Sequence, residues 1–163
     1  MKKLLVFGLI CLAFALIGCG EDNGGSGENG GNEPSGTLDE LMDQVMEAAE
    51  IPFPVIRFTR EQLEERDAFA YYLGTENLNI ADVLVGDAVI TRAFELALLR
   101  LEPGSDVNAA ITDIRNGLDP WRWICVGIGD PDRDIIVEAR GNLIVIIMDN
   151  EFAQDLQQAF RDL

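Results

Sequence analysis

Two apolar runs separated by a Gly-Asn pair restrict the fold of this chain more than any other feature. Residues 135–139 and 143–148 are rich in β-branched side chains, which favour strands. Gly141 and Asn142 lie between them and suit a two-residue turn, because both residue types tolerate positive φ. The sequence therefore predicts a β-hairpin near the C-terminus.

Four stretches show the apolar spacing of amphipathic helices. The first two begin at threonines that have Glu or Gln three residues later, which is the spacing of a capping box. The second of these helices is predicted to run to Gly74. The predicted first residues or caps of the four helices are Thr37, Thr59, Ser105 and Asp149.

Two further stretches bear on the size of the sheet. Residues 78–85 alternate between apolar and polar side chains before an apolar cluster, which predicts a strand. Residues 88–101 fit two structures. Their alanines and leucines favour a helix, while Phe94, Glu95 and Leu96 show the alternation of a strand.

The N-terminus has the layout of an exported chain. Lys2 and Lys3 precede an apolar stretch over residues 4–16, and the small Gly18 precedes Cys19. This is a secretory signal whose apolar part is too short for a comfortable transmembrane helix. The Leu-Ile-Gly-Cys ending looks like a bacterial lipobox, which predicts cleavage after residue 18 and acylation of Cys19. An ordinary cleaved signal peptide and an N-terminal membrane anchor are the alternatives.

A low-complexity spacer follows the signal. Residues 20–36 contain no large apolar side chain, so they cannot bury enough surface to offset the entropy cost of ordering. A Gly-rich coil of this length has a root-mean-square span of about 20–25 Å. The chain is thus predicted to comprise a signal peptide (1–18), a lipidated cysteine with its linker (19–36) and one globular domain (37–163).

The charge balance excludes some classes of partner. The chain has 29 acidic and 12 basic residues, for a net charge of −17. Removal of the signal peptide takes both lysines with it. No basic run remains to release counterions from phosphate, which excludes nucleic acid as a partner. The acid excess also opposes docking on anionic lipid headgroups.

The histidine and cysteine content argues against catalysis. The chain has no histidine, so any general base has to be a carboxylate with a raised pKa. Cys125 is the one cysteine of the predicted domain, and its apolar neighbours predict a buried, unreactive thiol. The alternative, a nucleophile, has no histidine partner. We therefore predict that the protein is not an enzyme and uses no cofactor.

Three acids, Asp130, Asp132 and Asp134, alternate in a stretch that contains a proline. Calcium prefers clustered oxygen ligands at such spacing. The stretch has Ile135 and Gly141 where an EF-hand loop has glycine and glutamate. A solvated turn is therefore favoured over a calcium site.

Two tryptophans, Trp121 and Trp123, flank Arg122. Paired aromatic rings can form a platform on which a sugar ring or a peptide stacks. Packing between a helix and the sheet is the more common role of such side chains. Both interpretations stand at this point, with core packing favoured.

A last candidate site consists of Asp82, Asp87 and Glu95, which lie on segments predicted to be neighbouring strands. Two carboxylates within about 5–10 Å are the catalytic device of glycosidases. Acidic residues occur throughout this chain, however, so a catalytic pair is not expected here.

The order of these parts follows a definite pattern. A lipobox and an acidic spacer precede an opening helix, a proline-containing segment, a Thr-x-x-x-Leu stretch, a central strand and a Gly-Asn turn before a last helix. The corresponding residues are 38–46, Ile51-Pro52-Phe53-Pro54, Thr59 to Leu63, Ala93-Phe94-Glu95-Leu96 and Gly141-Asn142.

This pattern resembles the bacterial lipoproteins that carry the domain of unknown function numbered 4358. The central strand of that family has an acid where this chain has Phe94, so no role is carried over to this position. The resemblance implies that residues 88–101 form a strand. It further implies an α+β domain in which an antiparallel sheet of about four strands has helices packed on one face. It implies no reaction.

Together these features predict a lipid-anchored protein on the extracytoplasmic face of the cell membrane, acting as a non-catalytic accessory or binding module of the cell envelope. The expected partners are the membrane, through the lipid, and an envelope protein or glycan. Two alternatives are a carboxylate-dependent enzyme that modifies envelope polysaccharide and a calcium-dependent adhesion module.

Overall fold

The structure is a computed structural model that describes residues 32–123 and 125–163. The predicted signal peptide, the predicted lipidation site Cys19 and most of the predicted spacer lie outside the described residues. Within the described ranges, no helix is both long and apolar enough to cross a membrane.

The described residues form six helices and five strands. The helices are α1 (Leu38–Ala48), α2 (Arg60–Glu65), α3 (Phe69–Leu73), α4 (Val107–Gly117), α5 (Pro131–Asp134) and α6 (Ala153–Asp162). The strands are β1 (Val55–Thr59), β2 (Ile80–Ala88), β3 (Phe94–Leu101), β4 (Ile135–Arg140) and β5 (Leu143–Asp149).

The strands form one antiparallel sheet in the order β1-β2-β3-β5-β4. The predicted C-terminal hairpin is confirmed, because Arg140 pairs with Leu143 around the turn and Gly141 takes a positive φ of 61°. β3 and β5 lie in the interior of the sheet and are buried on both faces. Their sequences are therefore nearly continuous apolar runs.

Helices cover both faces of the sheet. Helices α1 and α6 pack on the face that carries Leu96 and Val145. Helices α2, α3 and α4 pack on the face that carries Leu99 and Ile146. The α+β class and the antiparallel sheet are confirmed, whereas the sheet has five strands and the expectation of helices on one face is wrong. A single helical layer leaves one apolar side of the middle strands in water.

β1 is the strand that the sequence analysis missed. It has five residues after Pro54, and the Thr59 N–H at its end donates to Gln62 Oε1 of α2 at 2.9 Å. The helix predicted over 59–74 is instead two short helices, because Asp67 takes a positive φ of 52° between them. Such a short edge strand next to a proline carries little periodicity from which to predict it.

The start of α1 and the end of the predicted spacer are both held by hydrogen bonds. The capping box is confirmed, since Thr37 Oγ1 accepts from the Glu40 N–H and the Glu40 carboxylate accepts from the Thr37 N–H. Glu33 accepts from Arg100 Nε at 2.6 Å and from the Asn142 N–H at 3.2 Å. The last spacer residues therefore lie against the end of the sheet where β3 ends.

The N-caps of α4 and α6 differ from the predicted ones. Asp106, rather than Ser105, caps α4 and accepts from the Ala109 N–H at 3.0 Å. The N-cap of α6 is Phe152 and no side chain caps this helix, so the predicted cap at Asp149 is wrong; Asp149 instead accepts from the Glu151 and Phe152 N–H groups in the turn before α6.

Candidate binding site

One end of the sheet carries an open depression with a volume of about 240 Å³. It lies where β2 ends and the chain turns towards β3, and the loop between α4 and α5 contributes to it. The depression combines charged with aromatic and apolar side chains, which include Asp87, Arg92, Arg122, Tyr71, Trp123, Ile90 and Val126.

Large apolar side chains that stand in solvent are concentrated around this depression. Tyr71 (46% exposed) and Ile90 (50%) line it, and Val89 (63%) precedes Ile90. Ile56 (48%) lies on the neighbouring strand β1, and Trp121 (68%) lies on the α4–α5 loop. These five are the large apolar residues that are exposed in the part of the chain that the structure describes. Concentrations of this kind mark interaction surfaces.

A buried ion pair lies next to the depression. The Glu95 side chain has no exposed surface and the Arg122 side chain is 3% exposed. Arg122 Nη2 donates to Glu95 Oε2, and Nη1 donates to the carbonyl oxygens of Tyr71 (2.9 Å) and Tyr72 (3.4 Å). The guanidinium carbon lies 4.3 Å from the centroid of the Trp123 ring. Arg122 thus fastens the α4–α5 loop to both α3 and the sheet.

The Glu95 carboxyl group is only half satisfied. Its Oε1 has no hydrogen-bond partner among the described residues. Burial raises the pKa of Glu95 to about 7; the charge of Arg122 opposes this shift and the charge of Asp87 adds to it. Glu95 therefore titrates close to neutral pH although its side chain has no contact with solvent.

Asp87 is a second acid at this end of the sheet. It lies opposite Glu95 on β3 and opposite Ile56 on β1, so the three residues share one face. Burial raises the pKa of Asp87, and the charge of Arg122 lowers it. The Trp123 indole also lowers this pKa, although its N–H makes no ordinary hydrogen bond. Within the described ranges its carboxylate makes no ion pair. The structure thus brings two of the three candidate acids together.

The other predicted acids lie elsewhere. Asp82 is exposed and lies towards the opposite end of β2. Asp134 is buried and accepts from Arg133 Nε at 2.6 Å, whereas Asp130 and Asp132 are exposed. In residues 32–123 and 125–163, no group of three or more His, Cys, Asp or Glu side chains is placed to hold a metal ion.

The α4–α5 loop differs from the prediction for it. Cys125 is exposed rather than buried, so the expected inert core thiol is wrong. Trp121 is exposed and its ring lies against Gly127, so core packing is wrong for this residue. Trp123 is half-buried and packs against the hydrophobic core, as expected. The positive φ of Cys125 (66°) turns the backbone where the apolar sequence alone suggests a buried segment.

A second charged cluster lies on the other face of the same end of the sheet. Asp149 at the end of β5 is fully buried, and Arg92 Nη2 donates to its Oδ2 at 2.5 Å. The Arg92 guanidinium carbon lies 4.3 Å from the centroid of Phe53 and 5.4 Å from that of Phe152. Glu151 is a further partner at 3.6 Å. Arg92 therefore lies between an aromatic core and the depression.

Arg92 and Ile90 are lining residues that the sequence analysis did not single out. The signal for a buried charge was nevertheless present, because Glu95 is an acid in a run that is otherwise apolar from Phe94 to Leu99. A buried charge needs a partner. That partner, Arg122, lies 27 residues away on an irregular loop, so spacing alone does not reveal it.

Comparison with known proteins finds no match: no protein family, no curated protein and no solved structure corresponds to this chain. The case for a function therefore depends on the sequence and on the geometry of this site.

Proposed function

We propose that the protein is a lipid-anchored, non-catalytic binding module of the cell envelope that contacts a protein partner through the depression. The observation that carries the proposal is the concentration of exposed large apolar side chains around it. Burying apolar surface contributes about 25 cal/mol per Å², so a partner that covers these side chains gains from each of them. Aliphatic side chains at Ile56, Val89 and Ile90 favour a protein over a glycan.

The lipobox and the resemblance to lipoproteins support the anchor, and the attachment of the spacer fits the role. Glu33 contacts Arg100, which lies five residues along β3 from Glu95. At about 3.4 Å per residue this separation is roughly 17 Å. With lipid on Cys19, the spacer attaches the domain to the membrane at the end of the sheet opposite the depression. The depression is then free to face away from the membrane.

The burial of the charged groups favours binding over catalysis. Glu95 has no exposed surface, and Arg122 is occupied by that carboxylate and by two backbone carbonyls. A reacting group has to come within hydrogen-bond reach of its substrate. Neither side chain meets that requirement without movement of the α4–α5 loop.

The binding proposal is tested with a photoreactive amino acid at Ile90 in the full chain, in intact cells. The same amino acid at Glu47, an exposed position of α1 on the other face of the domain, is the matched control. We expect one dominant covalent protein partner from position 90 and none from position 47. No adduct at either position, or the same adducts at both, contradicts the proposal.

The anchor is tested separately. Mass spectrometry of the native protein is expected to show acyl chains on Cys19 as the new N-terminal residue. Cys19→Ala is expected to move the protein out of the lipid-anchored fraction. An unmodified thiol at position 19 of the native protein contradicts the anchor without affecting the binding proposal.

A second candidate function is a carboxylate-dependent enzyme that acts on envelope polysaccharide. One arrangement favours it: Asp87 and Glu95 lie directly opposite each other, and the pKa of Glu95 is raised to about 7, as suits a general acid. Hydrolysis of purified envelope polysaccharide that is lost in Glu95→Gln and kept in Asp82→Asn supports this candidate. No turnover by the wild-type chain rejects it.

A further inference from the structure

We infer that the depression recognises a cationic side chain, an arginine or lysine flanked by apolar residues, on its protein partner. This inference rests on the proposed function and adds the chemistry of recognition. Two of the three charged lining residues already have an acidic partner, since Arg92 pairs with Asp149 and Arg122 pairs with Glu95. Asp87 is the charged lining residue that, within the described chain, has no ion-pair partner.

The charge around the depression is negative. The carboxyl groups of Asp87, Glu95, Asp149 and Glu151 surround two guanidinium groups, and acids remain in excess even when Glu95 is protonated. The whole chain has a net charge of −17. Such a field attracts a cation and repels an anionic ligand.

Aromatic and apolar surface gives the cation and its stem a second set of contacts. Tyr71 and Trp123 already hold one guanidinium, with the carbon of Arg122 at 5.1 Å and 4.3 Å from their ring centroids. Tyr71 remains 46% exposed and is available to a second cation. Ile90 and Val126 line the same depression and suit the methylene stem of an arginine or lysine.

The unpaired nitrogen donors of the lining do not favour an acidic ligand instead. Arg92 Nε, Arg122 Nε and Trp123 Nε1 have no hydrogen-bond partner among the described residues. Each of these atoms has less than 1 Å² exposed, so a ligand in the depression does not reach it. An acidic ligand therefore meets the Asp87 carboxylate without gaining these donors.

The test measures binding of the peptide acetyl-Ala-Leu-Arg-Leu-Ala-amide to the full chain by calorimetry, up to millimolar peptide. A peptide with citrulline in place of arginine keeps the shape and removes the charge. We expect the citrulline peptide to bind about tenfold or more weakly, because a charge-assisted hydrogen bond is lost. Physiological salt is used, where the Debye length of about 8 Å suppresses long-range attraction.

Asp87→Asn is the decisive variant, and Asp82→Asn is its matched control. Both remove one carboxylate from β2, but Asp82 is exposed and lies opposite Arg100, away from the depression. Asp87→Asn is expected to weaken binding of the arginine peptide about tenfold or more, while Asp82→Asn leaves it nearly unchanged. Equal losses in the two variants mean that only the net charge attracts the peptide, and they overturn the inference.

Other outcomes also decide the matter. Tyr71→Ala is expected to weaken binding severalfold, and together with the citrulline peptide it serves as the test should Asp87→Asn fail to fold. No binding of the arginine peptide, or equal binding of the citrulline peptide, overturns the inference. A partner captured at Ile90 in either case keeps the proposed function and rejects only the cationic contact.

Discussion

Asp149 and Glu95 are fully buried carboxylates on adjacent strands at the same end of the sheet, yet their surroundings differ. Asp149 uses both oxygens: Oδ2 accepts from Arg92 at 2.5 Å, and Oδ1 accepts from the N–H groups of Glu151 (2.8 Å) and Phe152 (2.5 Å). Glu95 uses Oε2 alone, and its other oxygen has no partner within the described residues.

This difference separates an acid that holds the fold together from an acid beside the depression. Asp149 joins the end of β5 to α6 and to the segment before β3 through three donors. A buried polar atom without a partner costs about 1–3 kcal/mol, as Glu95 Oε1 does. Proteins tolerate such costs mainly at functional sites.

The largest expected effect is that of Asp149→Ala, which should lower the free energy of unfolding by about 3–5 kcal/mol. The change leaves Arg92 and two backbone N–H groups without their acceptor. Glu151→Ala is the control, because it removes a 69% exposed partner of the same arginine and is expected to cost about 1 kcal/mol or less. Urea denaturation of the full chain measures both values. Similar losses would mean that Asp149 is not the structural acid described above.

A pH series sharpens the contrast from the side of Glu95. Its pKa rises from 4.5 to about 7 on folding, so between these values the folded chain keeps a proton that the unfolded chain releases. Titration of Glu95 therefore lowers the free energy of unfolding of the wild type by about 3 kcal/mol as pH rises through that window. Glu95→Gln has no titrating group at this position. Its free energy of unfolding should therefore rise relative to that of the wild type as pH rises over the same window. A constant difference between the two denaturation curves would contradict the raised pKa.

When each buried ion pair is replaced by apolar residues, we expect the resulting losses of unfolding free energy to differ by about 2 kcal/mol. Glu95→Leu with Arg122→Met leaves no charge unpaired but removes the hydrogen bonds of Arg122 to the Tyr71 and Tyr72 carbonyls, so it is expected to cost about 1 kcal/mol. Asp149→Leu with Arg92→Met should lose more, because the N–H groups before α6 still lack an acceptor. Denaturation midpoints report both values, and equal effects would remove the distinction.

The smallest expected effect is that of Glu33→Gln at the other end of the sheet. The ion pair of Glu33 with Arg100 is about a quarter to a third exposed, so its loss should cost about 1 kcal/mol or less. The same denaturation assay checks this value. The result shows how much less a partly exposed ion pair contributes to the free energy of unfolding than the two buried pairs do. A loss as large as that of Asp149→Ala would show that the spacer contact is part of the core structure.

Much of the fold was predictable because its signals are local. The Gly141 turn and the Thr37 capping box each depend on residues within a few positions of one another. The prediction of helices on one face was wrong, although the unbroken apolar run of β5 already required cover on both faces. β1 was missed because five residues after a proline carry too little periodicity.

The candidate site was predictable only in part, because its contacts join distant segments. The sequence shows Glu95 inside an apolar run and Asp87 just after another, but their burial and pairing depend on Arg122 in an irregular loop. The exposure of Cys125 depends on a positive φ that no local residue preference announced. Long-range packing therefore decided which acids became partners and which stayed in solvent.

The exposure of Cys125 has a practical consequence for experiments on this surface. It is the only cysteine between residues 37 and 163, and it immediately precedes Val126 in the wall of the depression. A maleimide fluorophore attached to this exposed thiol is bonded to the residue next to that wall. If a partner binds in the depression as proposed, the emission of this fluorophore reports its arrival.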